Sequence, residues 1–320
     1  MIRAVALVKD FSSSAGVVRA VDGLSFEVQP GQIYGLLGPN GAGKTTALRM
    51  LSALLRPTAG SATVAGFSVV DQPDEVRARI GILTEVPGLY TRLTPLEYLD
   101  FFAQVQGLTL APKRRARLEE LLRLVGLWER RSAVMRTFSK GMQQRVAIAR
   151  TLLQDPQVLL FDEPTAALDP EAARSIRDYL RDLAAARART VLLCTHNLFE
   201  AELLCSRLSI IQGGRQVAQG SPDGLKSSFA TACVLKVRER SPALLACLQQ
   251  VPSIEAVSPD GPGNIVYRTR DPAGVNPLVI RAAVAAGADV IGLAEAASSL
   301  EEVYLKLVNN TRVEQCDRPD

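Results

Sequence analysis

Gly38-Pro39-Asn40-Gly41-Ala42-Gly43-Lys44-Thr45 is the stretch that decides the fold. It fits G-x-x-x-x-G-K-[ST], follows the apolar run Ile33–Leu37 and opens a helical pattern, the context in which such a loop binds phosphate. The glycines let the backbone curl so that successive N–H groups face one anion. A helix N-terminus adds positive potential. Lys44 is expected to reach the β- and γ-phosphates, the Thr45 hydroxyl to sit on Mg²⁺, and Thr46 to contact the α-phosphate.

Outward from this loop, short aliphatic runs alternate with helical patterns as far as about residue 220, which predicts an α/β domain. Val158–Phe161, Val191–Cys194 and Leu208–Ile211 join Ile33–Leu37 as candidate strands. Their continuous apolar character suits parallel strands covered on both faces. Ala4–Val8 and the alternating Leu24–Val28 read as an antiparallel patch. Residues 94–135 carry no strand signal, and Glu97–Gln106 and Arg117–Val125 have apolar residues at helical spacing. A mainly helical subdomain is therefore expected over about 86–150.

The turn cluster Ser221-Pro222-Asp223-Gly224 separates a different rhythm: strand Ala232–Arg238, helix Ala243–Gln250, strands Ile254–Ser258 and Asn264–Thr269, helix Pro277–Ala286 and strand Val290–Ala294. That βαββαβ order predicts a ferredoxin-like α+β domain. A last helix, Leu300–Val308, and a disordered polar tail complete the chain. The expected division is 1–222, 223–310 and a tail at 311–320.

With 47% hydrophobic and 22% charged residues, the 320-residue chain has the balance of a folded soluble protein. No apolar run approaches the roughly 18–20 residues that cross a bilayer. The first ten residues lack the pattern of a signal peptide. Five scattered cysteines give no zinc or redox spacing and suit a reducing compartment. A net charge of +4, without a basic cluster interleaved with aromatics, gives no case for nucleic acid.

Three further segments can carry chemistry. Val158-Leu159-Leu160-Phe161-Asp162-Glu163 delivers two carboxylates to a strand's C-terminal end, where α/β sheets bind ligands. There Asp162 is placed to hold Mg²⁺ and Glu163 to act as general base on an attacking water; a solvated acidic turn is the bland alternative. Phe138-Ser139-Lys140-Gly141-Met142-Gln143 starts a helix that Ser139 can cap. From the residues alone, an ordinary capped helix accounts for it, though a free N-terminus can also bind an anion. His196, the only histidine, follows an apolar strand and is either a structural residue or part of the same edge.

Taken in order, these segments resemble the ABC ATPases: Walker A at Gly38–Thr46, signature at Phe138–Gln143, Walker B at Val158–Glu163, a D-loop at Ala167-Leu168-Asp169, and the switch histidine His196. The resemblance covers about residues 2–220. It implies a P-loop NTPase with a mostly parallel core sheet, an antiparallel β patch and a helical subdomain, and catalytic roles for Glu163, His196 and Lys44. It further implies ATP and Mg²⁺ bound by a head-to-tail dimer, in which Ser139, Gly141 and Gln143 of one subunit close on ATP held by residues 38–46 of the other, with Asp169 at the same junction. His196 would contact the γ-phosphate and support Glu163. Phe11 matches the adenine-stacking aromatic, with an ordinary core phenylalanine as the alternative.

Three positions depart from the family's common pattern. The signature reads Ser-Lys-Gly-Met-Gln, similar to the form in drug-resistance and related type 2 exporters. Ala167 replaces a frequent glycine. Glu85, in Ile80-Gly81-Ile82-Leu83-Thr84-Glu85, stands where glutamine is usual; it is either a third metal ligand beside Thr45 and Asp162 or a solvated loop acid. The resemblance implies a peripheral subunit on the cytoplasmic face of a membrane, held there only by a separate permease that docks on residues 86–110, with export favoured by the signature variant and an importer subunit as the alternative. The C-terminal domain is either a regulatory module that senses a ligand or a dimer-stabilising appendage, and its lack of converging polar residues favours the second. The rivals are a non-transport ABC ATPase acting on nucleic acid or the ribosome, and a P-loop kinase. A single motif set without sustained heptads disfavours the first, and the signature before Walker B disfavours the second.

Overall fold

The computed structural model describes residues 1–14, 16–166, 168–187, 189–296 and 299–307. Ala167, Val308 and the expected tail at 311–320 lie outside the described residues. The chain divides into two compact units, Met1–Gln219 and the residues from Gly220 onward.

In the first unit, β1 (Ile2–Ser13) and β2 (Gly16–Val28) pair antiparallel, in the register Ile2↔Val28 and Leu7↔Leu24. Leu24, Phe26 and Val28 are buried and Ser25 and Glu27 exposed, the expected alternation. The hairpin runs well past the expected Ala4–Val8; its outer half mixes polar and apolar cross-strand pairs and is solvent-exposed, with Phe11 facing Val18 and Ser12 facing Val17, so it carries no in–out alternation. There Asp10 faces Arg19 in register and accepts its Nε–H at 2.8 Å. β4 (Ala59–Val64) and β5 (Phe67–Ser68) complete a four-stranded sheet in the order β2-β1-β4-β5.

The second sheet contains β3 (Ile33–Leu37), β6 (Ile80–Leu83), β7 (Val158–Asp162), β8 (Thr190–Thr195), β9 (Arg207–Gln212) and β10 (Arg215–Gly220), in the order β10-β9-β3-β8-β7-β6. Its pairs from β9 through β6 are parallel. Every residue of β3, β7 and β8 is buried, as their unbroken apolar runs require. Helix α1 (Lys44–Leu51) follows β3; α2 (Pro73–Arg77) precedes β6; α6 (Pro170–Arg187) and α7 (Leu198–Leu204) flank β8 in the chain.

Between β6 and β7 lie only helices: α3 (Pro95–Val105), α4 (Ala111–Leu124) and α5 (Lys140–Thr151), with 3₁₀ turns at Trp128–Arg130 and Met135–Thr137. α3 starts two residues before the expected Glu97 and α4 six before Arg117. Thr94 caps α3 in a reciprocal capping box with Glu97, and Pro95 and Pro112 occupy first-turn positions, where a missing N–H costs nothing.

The second unit begins with α8 (Pro222–Ser227) and continues as β11 (Thr231–Val237), α9 (Pro242–Gln249), β12 (Ile254–Asp260), β13 (Asn264–Thr269), α10 (Pro272–Ala285) and β14 (Val290–Ala296). A helix, α11, covers 300–307. The antiparallel strand order β12-β13-β11-β14 is that of a ferredoxin-like split βαβ sandwich. Cys233, Leu235, Ile265 and Tyr267 from the sheet pack with Leu244, Leu248, Val275 and Val279 from α9 and α10. The largest boundary shift in this unit is at α10, which starts at Pro272, not Pro277. Asp271 caps it by accepting the Gly274 N–H at 3.0 Å, and the first-turn preference read into Pro277 belongs to Pro272.

Candidate functional site

Three adjacent parallel strands set the site. β8 lies between β3 and β7, with Leu37↔Thr195 and Asp162↔Cys194 in register. The residues after each strand, Gly38, His196 and Glu163, therefore emerge side by side at the sheet's C-terminal edge.

The loop after β3 is wedged in place. A Cβ on Gly38 would stand 2.3 Å from the Ile211 carbonyl oxygen, and one on Gly43 2.4 Å from that of Ala20. Gly43 also has φ of 102°, a region closed to most side chains. Lys44 opens α1 and is buried; its Nζ donates to the carbonyls of Gly38 at 2.7 Å and Pro39 at 3.2 Å. A cavity of about 360 Å³ is lined by residues 40–46 with Ala20, Glu85, Asp162 and Glu163.

On the far side of this cavity the Thr45 hydroxyl donates to Asp162 Oδ2 at 2.8 Å. Burial pushes the Asp162 carboxyl above its usual range, the Thr45 bond opposes this, and the charges of Glu163 and Glu85 add to it. Glu163 is 7% exposed and has φ of 50°, a strained conformation of the kind found at working residues. Its Oε1 faces Lys44 Nζ at 3.5 Å and His196 Nδ1 at 2.8 Å, and its Oε2 accepts from the Thr195 hydroxyl at 3.3 Å. His196 is half exposed. Hard oxygen donors on Thr45 and Asp162, with the Glu85 carboxylate on the same cavity, fit a small divalent cation that takes its other ligands from phosphate and water.

The remaining residues singled out in the sequence do not line this cavity. Phe11 sits on the β1–β2 hairpin opposite Val18, 42% exposed, with Lys9 Nζ 5.3 Å from its ring centre; it is not a core residue. Ser139 caps α5, accepting the Met142 N–H at 3.3 Å. Gln143 donates to the carbonyls of Met135 and Phe138 at 3.2 and 3.4 Å. Asp169 caps α6 through the Ala172 N–H at 2.8 Å. Gly141 packs against α6, where an added Cβ would lie 2.8 Å from Ala172 Cβ. α5 is tied to the site by Gln144, whose Nε2 donates to the Pro164 carbonyl at 2.8 Å.

Sequence reading did not single out Gln144, Thr195 or Glu200. Glu200 on α7 is fully buried and accepts from Thr165 Oγ1 at 2.9 Å and Thr195 Oγ1 at 2.8 Å. Burial raises its carboxyl against the pull of those two hydroxyls. The only local signal is the spacing Asn197-Leu198-Phe199-Glu200, a helix-start pattern.

A parallel sheet with a glycine cradle, a buried lysine and a carboxylate pair at its carboxyl edge defines a P-loop ATPase. The ABC transporter family profile matches residues 21–166, and the chain belongs to that family as an ATP-binding, ATP-hydrolysing subunit. It is 41% identical over 265 residues to the Nod factor export ATP-binding protein I of Ralstonia nicotianae (strain ATCC BAA-1114 / GMI1000), covering 82% of this chain and 80% of that protein. It is 36% identical over 301 residues to the daunorubicin/doxorubicin resistance ATP-binding protein DrrA of Streptomyces peucetius, covering 91% and 88%. Among solved structures, the dimeric post-hydrolysis state of the ATP-binding cassette MJ0796 with ADP and phosphate aligns with a TM-score of 0.63 at 26% identity, over 69% of this chain and 98% of that one. ABC cassettes work with transmembrane partners and dimerise. Among the described residues, no helix is long and apolar enough to cross a membrane.

Proposed function

We propose that two copies of this chain clamp ATP head to tail and drive export through a separate permease at the cytoplasmic face of a membrane. Export-named relatives and the Ser139-Lys140-Gly141-Met142 signature support the direction. Residues 38–46 cradle the phosphates and Phe11 stacks on adenine. Ser139, Gly141 and Gln143 of the facing copy, with Asp169 at the junction, complete the site. Residues 1–222 carry this activity, and residues 223–310 are an accessory domain that stabilises the pair.

Thr45, Asp162 and Glu85 would hold Mg²⁺, which neutralises phosphate charge when bound. Lys44 supplies a fixed positive charge, already desolvated by its burial. Glu163 takes the proton from the attacking water. His196 supports the Glu163 carboxylate by donating its Nδ1–H, with its half-exposed ring beside the γ-phosphate.

The helical subdomain receives the permease. Tyr90 and Phe101 there are 54% and 49% exposed and stack in one aromatic cluster with Tyr98 and Phe102. Beside them, a cavity of about 270 Å³ is lined by Leu54, Ile82, Phe102 and Arg150 among others. An exposed apolar surface of this kind marks a partner site.

One observation carries the reading: a single carboxylate oxygen of Glu163 faces both Lys44 and His196 at the exit of β7. Glu163→Gln should retain ATP binding and lose turnover by about 10²–10⁴-fold, the range for a general base. Near-normal phosphate release by that variant would remove Glu163 from the role.

A further inference from the structure

Glu200 has no place in the mechanism above, yet its setting is the least expected of any charged residue in the first unit. It stands at the third position of α7, after the cap Asn197, whose Oδ1 accepts the Glu200 N–H at 3.1 Å. A glutamate there ordinarily reaches back to the N–H of the capping residue. Glu97 does so on α3, accepting the Thr94 N–H at 2.8 Å in an exposed setting. On α7 the Asn197 N–H instead goes to Thr195 Oγ1 at 3.0 Å, and Glu200 turns inward until none of it is exposed. Among the described residues, no ion pair includes it. Burying a carboxyl with only hydroxyl partners costs stability, and helix capping does not require it.

What the inward turn accomplishes is a bridge. Oε1 holds Thr165, two residues after Glu163, and Oε2 holds Thr195, one residue before His196. The two segments are 30 residues apart in the chain and leave neighbouring strands at the point where Glu163 and His196 must face each other. Thr195 Oγ1 is also the group that touches Glu163 Oε2. Glu163 itself sits in a left-handed backbone conformation, so its geometry depends on what holds the turn around it.

We infer that Glu200 is a positioning residue for ATP hydrolysis, pinning the exits of β7 and β8 so that Glu163 and His196 stay in register. The inference rests on Glu163 being the base. It also gives the segment leading to Asp169 a direct tie to the histidine strand, so a displacement of one is felt by the other.

The test measures steady-state hydrolysis, nucleotide binding and thermal unfolding on the full chain. Glu200→Ala should lower kcat by roughly 10- to 100-fold, the scale of a misplaced catalytic group, with KM and ATP affinity within about twofold. Glu200→Gln, which can still accept one hydroxyl and donate to the other, should restore most of the rate. Should Glu200→Ala fail to fold, the threonine carries the test: Thr195→Val should show the same loss in kcat and Thr195→Ser should recover it. The Thr195→Val and Glu200→Ala pair should be non-additive, since both act through one bridge. Wild-type kcat in Glu200→Ala or Thr195→Val, or a loss that appears in ATP affinity instead, overturns the inference. Glu163→Gln measured alongside separates the two readings: if it still hydrolyses ATP, the base assignment fails; if it is inactive while Glu200→Ala turns over normally, only the positioning role fails.

Discussion

Gly141 can be tested as a packing residue independently of any contact with nucleotide. In Gly141→Ala the new Cβ would lie 2.8 Å from Ala172 Cβ, against an ordinary carbon contact of about 3.5–4.0 Å, so α5 and α6 would have to part by about 0.7–1.2 Å. Overpacking costs about 1–3 kcal/mol, and a contact this far inside van der Waals distance belongs to the upper part of that range, about 2–3 kcal/mol. Alanine's helix preference over glycine returns up to about 1 kcal/mol, so the net loss should be about 1–2 kcal/mol. At roughly 2–4 °C per kcal/mol for a unit of this size, thermal unfolding should fall by about 2–8 °C. Ala172→Gly removes the opposing methyl and by itself should cost about 1 kcal/mol of helix propensity. The double variant should then unfold within a few degrees of wild type, a coupling of about 2 kcal/mol that additivity would not give. Differential scanning calorimetry on the four proteins reads this directly. A Gly141→Ala protein as stable as wild type, or strictly additive variants, would refute the packing argument. The double variant also informs the site: restored stability without restored hydrolysis assigns the glycine a role at the facing nucleotide, and restored hydrolysis assigns it to packing alone.

Two further outcomes follow from the charges. Glu85→Gln removes a negative charge from the phosphate cavity and should tighten binding of metal-free ATP by about fivefold, the ~1 kcal/mol of a water-screened charge at about 4 Å; equal affinities in EDTA for both proteins would place Glu85 outside the phosphate field. The Thr94 N–H and hydroxyl hold the Glu97 carboxyl below its ordinary value of 4.5. A depressed acid stabilises the fold above its unfolded value and loses that contribution as pH falls through the folded one. The unfolding-temperature gap between wild type and Glu97→Gln should therefore narrow as pH drops from about 6 to about 3; a gap constant over that range would exclude the capping box as its source.

The site was legible where the chemistry is local in sequence. The glycine loop, the apolar strand ending in Asp162-Glu163 and the strand ending at His196 each announce themselves within ten residues, and parallel pairing brings them to one edge. The βαββαβ order of the second unit was readable for the same reason. What escaped depends on partners distant in the chain. Glu200 looks like one more helix-start glutamate until Thr165, 35 residues away, is seen to bond it. Gly141 matches a signature residue, but its need for glycine inside the subunit comes from Ala172 on another helix. The outer half of the β1–β2 hairpin and the start of α10 were misjudged because an exposed strand pair and a second proline carry no distinct apolar rhythm.

The two carbonyl oxygens that crowd Gly38 and Gly43 belong to β9 and β2, strands of different sheets. The cradle is thus gripped by main chain from two sheets and takes its shape from them, as a casting does from its mould. Its grip on an anion is set before any ligand arrives, and a change that shifts either sheet, even far from the phosphates, alters the cradle with it.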